Sequence, residues 1–169
     1  MATDDRDPTW RYPWPAGRRL AEDLPHILDW TGLRICELGC GQGIVGRAAL
    51  AAGAASVTFT DISQEPLDHL TTLLGQDPRV QCLAYAWGEP LPGGPYDLMV
   101  GGDILYRPAF FNRLANSIGQ GLASGGFALL ADPRTELEPE LATLLTAEGL
   151  TVTIERRPGP YTLLRAHRP

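Results

Sequence analysis

Glu37-Leu38-Gly39-Cys40-Gly41-Gln42-Gly43 sets one carboxylate and three alternating glycines between an apolar run and an alanine-rich, helix-forming stretch. Glycines at such a junction let the backbone turn tightly and lie close against a ligand, and the helix that follows presents N–H groups lacking intrahelical partners. That arrangement suits the holding of a small cofactor. Further on, Val57-Thr58-Phe59-Thr60 ends in Asp61, so a second carboxylate is expected at the tip of the next strand, beside the glycine turn, where it can accept from a ribose diol. The thiols offer less. Cys40 lies inside the glycine turn and Cys36 on the apolar run before it, and neither has a histidine nearby in sequence to activate it. Cys36, Cys40 and Cys82 show no C-x-x-C spacing, and His26, His69 and His167 are scattered, so neither a disulfide framework nor a metal site is expected.

The elements that must position these groups follow from periodicity. A chain of 169 residues is the size of one ordinary domain. Residues 1–13, polar and proline-containing, read as a mobile arm ahead of a single domain over 14–169. Leu20, Leu24, Ile27 and Leu28 give a helix over 16–29 one apolar face, with Pro25 expected to kink or break it. Strand 33–38, the glycine turn and a helix bearing Ile44, Val45, Ala48, Ala49 and Ala52 come next. Then follow strand 57–60, helix 64–74, strands 80–85 and 97–102, helix 108–119, strand 127–131 and helix 136–148. The segment 88–95 is too rich in turn formers for a long helix, so the crossover there is expected to be short or irregular. Thr151–Glu155 and Tyr161–Ala166 flank Arg-Arg-Pro-Gly-Pro as an antiparallel hairpin. The pattern is α/β: seven strands, mostly parallel, covered on both faces and ending in a β-hairpin.

Composition narrows the partners. No apolar run approaches the roughly 18–20 residues of a membrane span, and the acidic start lacks the basic and apolar regions of a secretory signal, so a cytoplasmic protein is expected. A net charge of −6 with dispersed arginines argues against nucleic acid and suits a cationic substrate. Gly41-Gln42-Gly43-Ile44-Val45-Gly46 also satisfies G-x-G-x-x-G, the dinucleotide pattern. Against that use, the glycine series begins earlier, at Gly39, and Glu37 stands where a pyrophosphate would be repelled. A sulfonium with an amino-acid tail tolerates that carboxylate.

The acidic residue, the G-x-G-x-G series, Asp61 and the seven-strand order together resemble the class I S-adenosylmethionine-dependent methyltransferases. The resemblance implies a Rossmann-like three-layer sandwich with S-adenosylmethionine as cofactor. It places Glu37 near the methionine part, Gly39, Gly41 and Gly43 against the cofactor, and Asp61 on the ribose hydroxyls. Ile62 would pack against the adenine or serve as ordinary core. Three further segments resemble the family 16 protein lysine methyltransferases: Gly102-Asp103-Ile104-Leu105-Tyr106, a D-x-x-Y motif at the end of the fourth strand; Trp87-Gly88, beside the adenine pocket; and Trp14-Pro15-Ala16-Gly17, a tryptophan segment lying over the cofactor. Asp103 would then touch the cofactor and position the acceptor amine or take its proton, with Tyr106 as an apolar wall and cation–π face. Read on their own, Asp103 can instead cap the helix after the fourth strand, Tyr106 can be a packed loop aromatic, and Trp10, Tyr12 and Trp14 can either close over a cofactor or simply pack. The segment before the glycine turn is shorter than is usual in that family.

The function these residues point to is an N-methyltransferase acting on a protein lysine. Two alternatives stay open: a small-molecule N- or O-methyltransferase, and a cofactor-binding but inactive regulatory partner. Oligomeric state is not encoded in any pattern here.

Overall fold

In the computed structural model, which describes residues 8–159 and 161–169, seven strands form one sheet. They are β1 (Arg34–Leu38), β2 (Ser56–Asp61), β3 (Val80–Ala84), β4 (Tyr96–Gly102), β5 (Leu122–Asp132), β6 (Thr151–Arg157) and β7 (Tyr161–His167), in the order β3-β2-β1-β4-β5-β7-β6. Strands β1 to β5 pair in parallel, and β7 inserts antiparallel between β5 and β6. The fold is therefore the mostly parallel, Rossmann-like sheet with a terminal hairpin. No helix among the described residues is long and apolar enough to cross a membrane.

Side-chain alternation along the strands divides the core into two layers. Ile35, Val57, Phe59, Leu98, Val100 and Leu129 face helices α1 (Pro15–Ile27), α2 (Ile44–Ala51) and α3 (Gln64–Leu74), meeting Leu20, Leu24, Val45, Leu67 and Leu70. The intervening residues Cys36, Leu38, Met99, Ala128 and Leu130 face α4 (Phe111–Gly121) and α5 (Glu138–Ala147), meeting Leu114, Ile118, Leu141 and Leu145. Each fully buried leucine in these layers contributes about 1.5–3 kcal/mol of transfer free energy. Both strand faces are covered, which is why Leu98-Met99-Val100 of β4 reads as a continuous apolar run rather than an alternating one.

Several boundaries differ from the sequence pattern. Pro25 sits inside α1 but in its last turn, and the helix ends two residues later, where Trp30 donates its indole N–H to the carbonyl of Leu24 at 3.0 Å. Residues 108–110 form a separate 3-10 turn before α4. Strand β5 starts early, at Leu122, because Leu122 pairs with Tyr96 before a register shift at the glycine-rich Ser124-Gly125-Gly126. The crossover after β3 carries no helix, as the turn formers required. It is fastened to α4 instead: Ser117 Oγ accepts from the Tyr85 hydroxyl at 2.7 Å and from the Gly88 N–H at 2.9 Å. Residues 1–7 of the expected arm lie outside the described residues, while Pro8–Arg11 form a 3-10 turn.

Candidate functional site

Parallel strands deliver their carboxyl ends to one edge of the sheet, and that edge collects nearly every residue singled out above. The chain leaves β1 and β2 for helices on one face and leaves β4 and β5 for helices on the other, so the crevice between β1 and β4 is a topological switch point, where open α/β sheets bind ligands.

The glycine turn follows β1. Gly43 adopts a left-handed φ of 66° as it caps α2, and a Cβ there would come within 2.7 Å of the Phe59 ring, so both conformation and space demand glycine. Glu37 reaches under the same helix start: its Oε2 accepts from the Gly46 N–H at 2.8 Å, with the side chain only 3% exposed. Burial pushes this carboxyl up to about 8, against the opposing pull of the Gly46 and Val45 N–H groups, and the charge of Asp61 adds to the rise. At the end of β2, Asp61 Oδ2 accepts from the Gly41 N–H at 3.1 Å and Oδ1 from the Ser63 N–H at 3.0 Å. Partial burial raises its pKa, and each oxygen keeps acceptor capacity beyond its one backbone bond. Ile62, next to it, is 60% exposed and so is not core. Trp87, half-buried after β3, lies over Gly39: a Cβ on Gly39 would meet its indole at 3.8 Å and Ile104 at 3.0 Å.

Asp103 stands at φ 57°, a left-handed conformation that a non-glycine residue holds only when its surroundings impose it. Those surroundings are α1. Asp103 Oδ2 accepts from the Gly17 N–H at 2.8 Å, so this carboxylate caps the first turn of α1 and not the helix after β4. The contact is possible because Gly17 and Gly102 bring the two backbones together, with a Cβ on Gly102 falling 2.4 Å from the Gly17 Cα. Burial raises the Asp103 pKa; the Gly17 N–H lowers it and the nearby Asp132 raises it further. Tyr106 is 56% exposed, and the guanidinium groups of Arg107 and Arg134 lie 5.5 and 5.9 Å from its ring centre.

Asp132, at the end of β5, was not singled out by any sequence pattern. It is 1% exposed and fixes the D-x-x-Y turn by accepting the Leu105 N–H at 2.9 Å on Oδ2, while Oδ1 takes the Arg134 N–H at 3.0 Å and its guanidinium at 2.8 Å. The available signal was positional: like Asp61, it is an acidic residue closing an apolar strand on the ligand-binding edge.

The aromatic segment lies across the same edge. The indole N–H of Trp10 donates to Glu65 at 2.9 Å, its ring lies 5.5 Å from that of His69, and Gln42 donates to the Arg11 carbonyl. A Cβ on Gly41 would meet the Trp10 carbonyl at 3.4 Å. Trp14, 41% exposed, caps the start of α1, donates to the Thr9 carbonyl at 3.1 Å and meets Tyr12 edge-on at 5.0 Å. Burial pushes the Cys36 thiol up to about 12 and that of Cys40 well above the ordinary range, which disables both as nucleophiles at neutral pH. Among the described residues no cluster of His, Cys, Asp or Glu could hold a metal ion. Two surface hollows, one at Arg34, Thr58, Gln81 and Tyr96 and one at Arg19, Asp23 and His26, contain none of the residues that converge at this edge.

The sequence model of a family described as lysine methyltransferase matches residues 14–138. Protein N-lysine methyltransferase METTL21A of Danio rerio is 38% identical over 121 residues, covering 66% of this chain and 54% of that protein. The ribosomal protein L11 methyltransferase of Synechococcus sp. (strain RCC307) is 33% identical over 156 residues, covering 82% of this chain and 47% of that one. The chain thus spans about half the length of the curated relatives it matches. Among solved structures, an S-adenosylmethionine-dependent methyltransferase from Mesorhizobium loti superposes with a TM-score of 0.71 at 20% identity, covering 87% of this chain and 96% of that one, a likeness of fold.

Proposed function

The chain belongs to the lysine methyltransferase family, and we propose that it transfers a methyl group from S-adenosylmethionine to the side-chain amine of a lysine in a protein. The observation that carries this reading is the contact between the glycine turn and the D-x-x-Y segment, with Ile104 packed against Gly39, so that a cofactor on the turn would lie beside Asp103 and Tyr106. The residues present fit that cofactor. Asp61 retains acceptor capacity for the ribose hydroxyls, exposed Ile62 offers apolar surface to the adenine, and Trp87 backs the glycine turn. Glu37 lies beneath that turn with its Oε2 held by the Gly46 N–H, a carboxyl that a cationic group bound above it would draw toward its charged form. Trp14 bounds the cleft from the start of α1.

When bound, S-adenosylmethionine supplies an activated methyl group, so the protein's task is alignment and exclusion of water. A lysine amine, with an ordinary pKa of about 10.4, must shed its proton before it can attack. Desolvation between Tyr106 and Ile104 favours the neutral amine, whereas the Asp103 carboxylate favours the ammonium. Asp103 is therefore suited to holding the amine by a hydrogen bond and taking its proton, and its burial-raised pKa makes it a better acceptor than an exposed carboxylate.

All fourteen basic residues of the chain are arginines, so it has no lysine to methylate on itself. Any methyl-lysine formed in a reaction belongs to the acceptor. Incubation with labelled S-adenosylmethionine and cell lysate should put label in protein, recoverable as methyl-lysine on hydrolysis; label confined to small molecules would overturn the lysine reading. Titration should give binding of S-adenosylmethionine and its demethylated product but not of NAD. In the same titration Asp61→Ala should weaken affinity about tenfold, since buried hydroxyls would lose an acceptor. Asp103→Asn keeps an oxygen for the Gly17 N–H while removing the charge. It should lower turnover at least about tenfold with cofactor affinity nearly unchanged, a split that marks an acceptor-side role.

A further inference from the structure

We propose that the acceptor lysine lies in an acidic stretch of its protein, and that Arg107, seconded by Arg134, reads a carboxylate flanking it. The inference rests on the lysine methyltransferase reading and names the substrate class of that site.

The argument begins with where the charge is. The chain as a whole is acidic, at −6, yet from Ile104 to Ala131 it contains no Asp or Glu, and Arg107 and Arg113 are the charged residues of that stretch. Both are exposed: Arg107 lies over Tyr106, on the acceptor side of the site, and Arg113 over Phe110 and against Gly88. Arg134 approaches Tyr106 from β5 but divides its guanidinium between the ring and Asp132. Arg107 forms no ion pair among the described residues. The exposed aromatic at the mouth thus carries two guanidinium groups, one of them without a carboxylate.

That arrangement sets a condition on the substrate. An entering lysine is itself a cation: Arg107, whose charge no carboxylate offsets, repels it, and both guanidinium groups occupy the ring surface a cation–π contact would use. The buried Asp103 attracts the amine only after it has passed this rim. A peptide bearing Asp or Glu within a few positions of the lysine removes the penalty, pairing its carboxylate with Arg107 as the amine moves inward. A peptide bearing arginine there compounds the repulsion. Charge complementarity of this kind chiefly sets specificity and encounter rate.

The test uses the full chain and three sets of lysine peptides that differ only in flanking residues: Asp/Glu, Asn/Gln or Arg. We expect kcat/KM to fall in that order, by about fivefold per step at low salt, and the steps to shrink toward unity at 0.5 M salt, as screened surface pairs do. Arg107→Glu should abolish or invert the order and leave affinity for the demethylated cofactor unchanged, and Arg107→Gln serves the same purpose should the charge reversal fail to fold. Equal rates on all three sets, or an acidic preference that survives both Arg107 variants, would overturn this inference and leave the lysine reading standing. Cofactor binding with no transfer to any peptide would overturn the lysine reading and this inference with it.

Discussion

Glu37 and Asp103 each accept from a backbone N–H near the start of a helix. Glu37 feeds its carboxylate to the Gly46 N–H while lying beneath the glycine turn, and burial holds its pKa near 8. The sign of the linked pH effect follows. Between the ordinary value of 4.5 and about 8 the folded chain holds a proton that the unfolded chain has released, so this contribution to stability is complete below about 4.5 and is lost as pH climbs to about 8. Glu37→Gln keeps a carbonyl for Gly46 and has no proton to lose. Urea unfolding at stepped pH should show a flatter profile for the variant, and at pH 8 a gain over the parent on the order of 1–3 kcal/mol; parallel profiles would mean the carboxyl is ionised throughout. At this scale the sequence was half legible. Glu37, Asp61 and the glycines sit in one short local pattern, so their neighbourhood could be read from spacing. The partners of Asp103 and Asp132 could not: Gly17 is 86 residues from Asp103, and Leu105 is 27 from Asp132, separations that no local motif encodes.

Elements fared better, because helix and strand periods are local. The alternation of strands with helices, the helix-free crossover after β3 and the closing hairpin all followed from period and turn residues. What local pattern missed were boundaries set by neighbours. Strand β5 runs through Ser124-Gly125-Gly126 because Tyr96 pairs with Leu122 on one side and, on the other, Arg168 just past β7 accepts from the Gly125 N–H and donates to the Gly126 carbonyl, overriding glycine's low strand preference. Pro25 stays in α1 because Leu20 and Leu24 are already anchored before it. The Trp87-Gly88 end of the crossover is tied to α4 through the Ser117 hydroxyl. Ser117→Ala leaves the Gly88 N–H without its partner and frees the turn that carries Trp87. Chemical denaturation should register a loss of about 1–2 kcal/mol, and titration a several-fold weaker cofactor affinity; a stability loss with unchanged affinity would restrict Ser117 to a structural role.

Across the whole molecule, sheet order converts four separate strand ends into one working edge, and the 8–14 segment lies against it. Trp10 pins that segment to α3 through Glu65 and His69 while its backbone rests against Gly41. Trp10→Ala should release it, raising the dissociation rate of bound cofactor several-fold in stopped-flow displacement with little change in the unfolding midpoint. An unchanged rate would show that the segment merely packs. The distribution of indoles has a practical corollary. Trp10, Trp14 and Trp87 border this edge, whereas Trp30 is sealed in the core at 2% exposure. Intrinsic emission is therefore weighted toward the edge, with Trp30 as a built-in unchanging reference, and occupancy can be followed optically without attaching a dye.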